Sequence, residues 1–92
     1  KKRVARIEDY RCQICGYDCR FEAPDGKNIW IYEVDHIKPK EAEGGENIRN
    51  LIVLCPNCHT KKTKGIIEID PETKIVKELG KEIDIKDNHL NK

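Results

Sequence analysis

Residues 51–65 read Leu51-Ile52-Val53-Leu54-Cys55-Pro56-Asn57-Cys58-His59-Thr60-Lys61-Lys62-Thr63-Lys64-Gly65, and this stretch decides the fold. Four successive aliphatic residues predict a short buried strand. Pro56 suits the first turn of a helix, where its missing N–H costs nothing and its fixed φ is already helical. Gly65 marks the place where that helix stops. A strand therefore passes directly into a helix over 56–64, with Cys55 and Cys58 at the junction.

A second Cys-x-x-Cys pair, Cys12 and Cys15, lies in Cys12-Gln13-Ile14-Cys15-Gly16. Zinc takes four soft ligands in a tetrahedron, and two thiolates two residues apart fit one edge of it without backbone strain. Cys12, Cys15, Cys55 and Cys58 together predict a closed structural zinc site, with Gly16 free to take the positive φ such a turn needs. Cys19, the fifth cysteine, is left over and is assigned to the core. A redox dithiol and disulfides are the competing readings. The odd cysteine count and the paired spacing suit metal ligation in a reducing, cytoplasmic setting better than a secreted disulfide framework. With four protein ligands this zinc folds the domain without activating water, so a catalytic metal must be a second ion.

Between the pairs, Ala23-Pro24-Asp25-Gly26-Lys27-Asn28 is a turn cluster, and Ile29 to Val34 alternates as a strand whose end delivers Asp35 and His36. Pro39, Gly44 and Gly45 mark a loop, and Asn50 stands just before the aliphatic strand. Phosphodiester hydrolysis needs a base, a divalent cation and a rigid frame for both. Histidine has the intrinsic pKa of a base near neutrality, which suits His36. Asp35 and His59 can offer one oxygen and one nitrogen to a divalent ion, leaving positions open for a substrate phosphate. The Asn50 amide can tie the loop that carries His36. Each of these residues alone is ordinary; their joint occurrence on a zinc scaffold is what points to catalysis.

Outside this centre the signals are plainer. Val4, Ile7 and Tyr10 or Arg11 recur at helical spacing and predict a short amphipathic helix over 2–10. Residues 66–70 and 74–77 flank Pro71-Glu72-Thr73 and predict a β-hairpin. Residues 87–92 are polar and expected to fray. Apolar content of 37% against 38% charged, with one Trp, one Phe and no Met, describes one thin-cored domain of 92 residues that needs a staple. The missing methionine suggests a piece of a longer protein. No run is long enough for a membrane span. A net charge of +1 excludes coating of nucleic acid by bulk electrostatics, but Lys61, Lys62 and Lys64 cluster after the candidate site, where they can meet phosphates.

The segments Glu33-Val34-Asp35-His36-Ile37-Lys38-Pro39 and 44–65, preceded by Cys12-Gln13-Ile14-Cys15, resemble the HNH endonuclease family in its zinc-bearing form. The resemblance covers roughly residues 10–65. It implies an α+β, ββα-metal (treble-clef-like) domain, to which the chain adds a C-terminal hairpin at about 66–79. It further implies His36 as general base, Asn50 as brace, Asp35 and His59 as ligands of a catalytic Mg²⁺ or Mn²⁺, and the four paired cysteines on zinc. Asp35 stands where the family's first named histidine would be, and a harder oxygen ligand favours Mg²⁺ or Mn²⁺. The expected reaction is cleavage of double-stranded DNA to 5′-phosphate and 3′-hydroxyl ends. A weaker similarity to HNH domains of restriction enzymes implies a fused recognition domain. Cutting both strands would take a homodimer, dimerisation through the parent protein, or sequential nicking. The alternative is a non-catalytic zinc module that binds DNA or a protein, and RNA remains open as a substrate because nothing here reads a 2′-hydroxyl.

Overall fold

A computed structural model describes residues 2–38, 47–86 and 89–90. In chain order the elements are α1 (Lys2–Ile7), β1 (Arg20–Glu22), β2 (Asn28–Trp30), β3 (Glu33–His36), a 3₁₀ turn (Ile48–Asn50), β4 (Leu51–Leu54), α2 (Pro56–Thr63), β5 (Ile67–Ile69), β6 (Val76–Glu78) and β7 (Lys81–Ile83). The fold is a small α+β arrangement in which β1 pairs with β2, β3 with β4, and β5, β6 and β7 form a meander. The expected loop residues Pro39, Gly44 and Gly45 lie outside the described residues.

β4 is the axis of the molecule. All four of its residues are buried, and strand alternation divides them between two cores. Leu51 and Val53 face Val4 and Ala5 of α1. Ile52 and Leu54 face the cysteines, Ile14, Ile37, Ile67 and Val76. A continuous aliphatic run is what a strand covered on both faces requires. One edge of β4 pairs antiparallel with β3, Asp35 opposite Ile52 and His36 opposite Leu51. Against β4 also docks the first cysteine turn: Gln13 N–H donates to Val53 O at 2.9 Å, and Val53 N–H donates to Gln13 Oε1 at 2.7 Å.

Helix α2 starts where Pro56 predicts, with Cys55 as N-cap. It ends at Thr63, and Gly65 follows at φ +77°, a left-handed conformation that glycine takes without strain. In the hairpin, the Asp70 carboxylate accepts from Glu72 N–H and Thr73 N–H at 2.8 and 2.9 Å, fixing the turn in which Pro71 sits.

Four features differ from the sequence reading. The run 29–34 is two strands: Ile31 N–H bonds Cys19 O on the β1 side, then Glu33 begins pairing with Leu54, so one alternating segment changes partners at Ile31 and Tyr32. Helix α1 stops at Ile7 because Asp9 and Tyr10 take φ of 55° and 56°. Its buried residues are Val4 and Ala5, and Ile7 is 36% exposed. A third strand, β7, extends the hairpin through a turn at Leu79 and Gly80, both at positive φ. Finally, His89 and Leu90 do not fray but are buried. Nε2 of His89 lies 2.9 Å from the carbonyl oxygens of Ile48 and Leu51, and Nδ1 meets the buried carboxylate of Glu8, the residue after α1. Residues 87, 88, 91 and 92 lie outside the described set.

Candidate functional site

Two centres flank α2. In the first, the sulfur atoms of Cys12, Cys15, Cys55 and Cys58 all lie within 4.8 Å of one another. The turn at 12–16 supplies one pair, closed by Gly16 N–H to Cys12 O at 2.8 Å with Gly16 at φ +79°. The first turn of α2 supplies the other, Cys58 N–H donating to Cys55 Sγ. Burial works against ionisation of Cys12, yet the backbone N–H groups of Cys15, Cys55 and Ile14 outweigh it and hold its pKa below the ordinary cysteine value. Burial pushes Cys58 well up, reinforced by charge on Cys12 and Cys55. Burial, joined by charge on Cys12, also raises Cys15. Thiols that suppress one another's ionisation are what a bound dication reverses, because it is the largest local charge. The four cysteines are positioned to hold a metal ion, consistent with structural zinc. Cys19 is outside the group: it is buried, its sulfur points to Tyr17 O at 3.7 Å, and burial with the charge of Cys55 and Cys12 pushes its pKa up to about 11.

The second centre joins β3 to α2. Asp35 Oδ2 lies 4.0 Å from His59 Nε2 and accepts from Lys62 Nζ at 3.0 Å. Lys62 and His59 are three residues apart on α2, hence on one helix face. Asp35 Oδ1 accepts His36 N–H at 2.9 Å. Burial disfavours the charged Asp35, but the Lys62 hydrogen bond and charge, followed by the His36 N–H and His59, hold its carboxyl below the ordinary aspartate value. The pair offers two donor atoms that could hold a divalent cation. Carboxylate oxygen and imidazole nitrogen converge from two elements, and a span of 4.0 Å is within twice a metal–ligand distance of about 2.1 Å.

Asn50 is buried at 6% exposure and closes on the chain just past His36. Its Oδ1 accepts Lys38 N–H at 2.8 Å, and its Nδ2 donates to Lys38 O at 3.1 Å. Its own carbonyl accepts Ile37 N–H at 2.8 Å. His36 therefore sits between a strand pair and an amide clamp. The three candidate phosphate-binding lysines part company: Lys61 pairs with Glu78 of β6 at 3.0 Å, Lys62 with Asp35, and Lys64 is exposed. Sequence reasoning missed Gln13, which fixes the cysteine turn to β4, and His89, which bonds the carbonyls at both ends of the turn bearing Asn50. Neither has a local periodic signal.

The model of the HNH endonuclease family matches residues 12–65, and the chain belongs to that family. Among curated proteins it is 34% identical over 70 residues to anaredoxin of Nostoc sp. (strain PCC 7120), covering 76% of this chain and 79% of that protein. It is 36% identical over 63 residues to the type IV methyl-directed restriction enzyme EcoKMcrA of Escherichia coli K12, covering 63% of this chain and 22% of that enzyme. Among solved structures it superposes on a modification-dependent TagI restriction endonuclease with a TM-score of 0.63 and 27% identity, over 91% of this chain and 29% of that one. The chain thus spans less than a third of either restriction enzyme. No helix among the described residues is long and apolar enough to cross a membrane.

Proposed function

We propose that this chain is the cleavage domain of a restriction-type enzyme and hydrolyses double-stranded DNA, with a divalent cation, to 5′-phosphate and 3′-hydroxyl ends. The observation that carries the reading is the convergence of Asp35 and His59 to 4.0 Å beside His36, on a segment clamped by Asn50. Cys12, Cys15, Cys55 and Cys58 would hold a structural Zn²⁺, which would fix the start of α2 and so His59.

Asp35 Oδ2 and His59 Nε2 would hold Mg²⁺ or Mn²⁺, which supplies charge neutralisation at the phosphate and the departing 3′-oxygen. His36 takes a proton from the attacking water. Asn50 positions His36 through the backbone of Lys38. Lys62 keeps Asp35 in its carboxylate form, and Lys64, just past the end of α2 and exposed, faces a flanking phosphate, which Lys61 would meet only by leaving Glu78. One such site cuts one strand. Base recognition and the pairing of two cuts fall to a fused recognition domain and to dimerisation of the chain or its parent protein.

A second reading is a zinc module without catalysis that binds DNA or a protein, resting on the four-cysteine site alone. Supercoiled plasmid incubated with the zinc-loaded protein and Mg²⁺, Mn²⁺ or no added ion separates the two. Nicks that require the added ion and are sealed by DNA ligase support the nuclease; DNA binding with no nicks at any ion supports the module.

A further inference from the structure

Tyr10, Trp30 and Tyr32 line a cleft of about 200 Å³ with Lys2 and Arg6. The cleft lies between α1 and the β2–β3 segment, apart from both centres described above. Tyr10 touches both other rings, with centroids 5.6 Å from Trp30 at 41° and 6.0 Å from Tyr32 at 55°. The rings are tilted against one another, and Tyr10 and Tyr32 are partly buried against the core, so Trp30 is the exposed member of the three. Trp30 is 47% exposed, which is costly for the largest apolar side chain in so small a domain unless something covers it. Tyr10 stands at φ 56° in the turn that closes α1, its N–H donating to Ala5 O at 2.9 Å. Lys2 and Arg6, one turn apart on α1, share a face, and neither forms an ion pair among the described residues.

An exposed indole beside two such cations is complementary to one chemical unit, a flat base carrying a phosphate. The cleft is smaller than the several hundred Å³ of a typical small-molecule pocket and suits a single ring system. Trp30 and Asp35 are joined by one chain segment that spans at most about 18 Å when fully extended, a separation of a few nucleotides. We propose that this cleft takes up one unstacked nucleobase of the DNA, its phosphate held by Lys2 and Arg6, a few nucleotides from the scissile bond. The inference rests on DNA being the ligand, as the proposed function has it.

Trp30 is the single tryptophan of the chain, so its fluorescence reports this cleft alone. The zinc-loaded protein is titrated, without Mg²⁺ or Mn²⁺, with a short duplex carrying one unpaired thymidine, the same duplex with an abasic residue at that position, and its fully paired form. Saturable quenching by the unpaired base is expected, with affinity about tenfold weaker for the abasic and paired duplexes. Trp30→Leu, followed by anisotropy of a labelled duplex, should lose that tenfold preference, and Arg6→Gln should weaken all three duplexes. Tyr10→Ala should act like Trp30→Leu; if it fails to fold, the half-exposed Trp30 variant still decides. Equal affinity for all three duplexes with Trp30 unquenched would overturn the proposal, as would a complete lack of DNA binding, which would leave the rings as a protein-facing surface. Plasmid nicking by the wild type with no Trp30 response would sink this inference and spare the nuclease. Trp30 quenching without nicking under any added ion would do the reverse.

Discussion

At the scale of single residues, Asp35 is the side chain on which the candidate active site turns. Each of its oxygens already has a cationic or N–H partner: the backbone of His36 on one side and Lys62, with His59 beyond it, on the other. That environment holds the carboxylate charged despite partial burial, the form a divalent ion needs. Asn50 does its work through geometry. Both ends of its amide bond the backbone of Lys38, so its loss frees the segment that carries His36 while leaving Asp35, His59 and the lysines in place. Displacing a catalytic group by an ångström can cost orders of magnitude in rate. Asn50→Ala should therefore lower the nicking rate at saturating DNA by about tenfold or more, with DNA affinity unchanged. Wild-type turnover in that variant, measured alongside binding, would remove the bracing role. Asp35, His36, Asn50 and His59 were singled out in the sequence by their types and their spacing around the cysteine pairs, and the fold brings Asp35 to within 4.0 Å of His59. That Lys61 and Lys62 pair with carboxylates was not, because a lysine's partner is set by what the fold brings to it.

At the scale of elements, β4 and α2 were readable for a physical reason: an aliphatic run, a helix-initiating proline and a terminating glycine are local signals, and nothing distant contradicts them. The run 29–34 misled because alternation specifies a strand but not its partner, and here β2 and β3 belong to different sheets. The turn before β7 was hidden because Leu79 holds a positive φ that asparagine or glycine would have announced. The docking of the first cysteine turn onto β4 depends on Gln13, whose side chain is fully buried and accepts Val53 N–H across 40 positions of sequence. Replacing it with leucine strands that buried N–H. Gln13→Leu should cost about 1–3 kcal/mol, read from the urea midpoint of the zinc-loaded protein. A shift near zero would mean that the turn is held by its metal and the backbone bond alone.

At the scale of the whole molecule, long-range ties among the described residues support a thin core, among them the four-cysteine site, which joins the first cysteine turn to α2, and the Glu8–His89 contact, which joins the turn after α1 to a residue 81 positions away. Neither tie has a local signature, but paired cysteines advertise the first and nothing advertises the second. The apparent free energy of a structural zinc, about 10–16 kcal/mol in small peptides, is of the same size as the total stability of about 5–15 kcal/mol usual for a domain. Cys55→Ser should accordingly unfold the chain or leave it nearly zinc-free. Normal zinc content with an unchanged melting curve would count against the four-cysteine site. The central claim is that this small fold brings a base, an ion-holding pair and a brace to one phosphate. The most direct measurement is nicking of supercoiled plasmid with Mg²⁺ or Mn²⁺ by the wild type and by His36→Ala, each verified for zinc content and melting temperature. The expected result is ion-dependent nicking that the variant loses by about 10²-fold or more with fold and zinc intact. Equal nicking by both proteins would contradict His36 as the base, and no nicking by the wild type would contradict the assignment of cleavage to this chain.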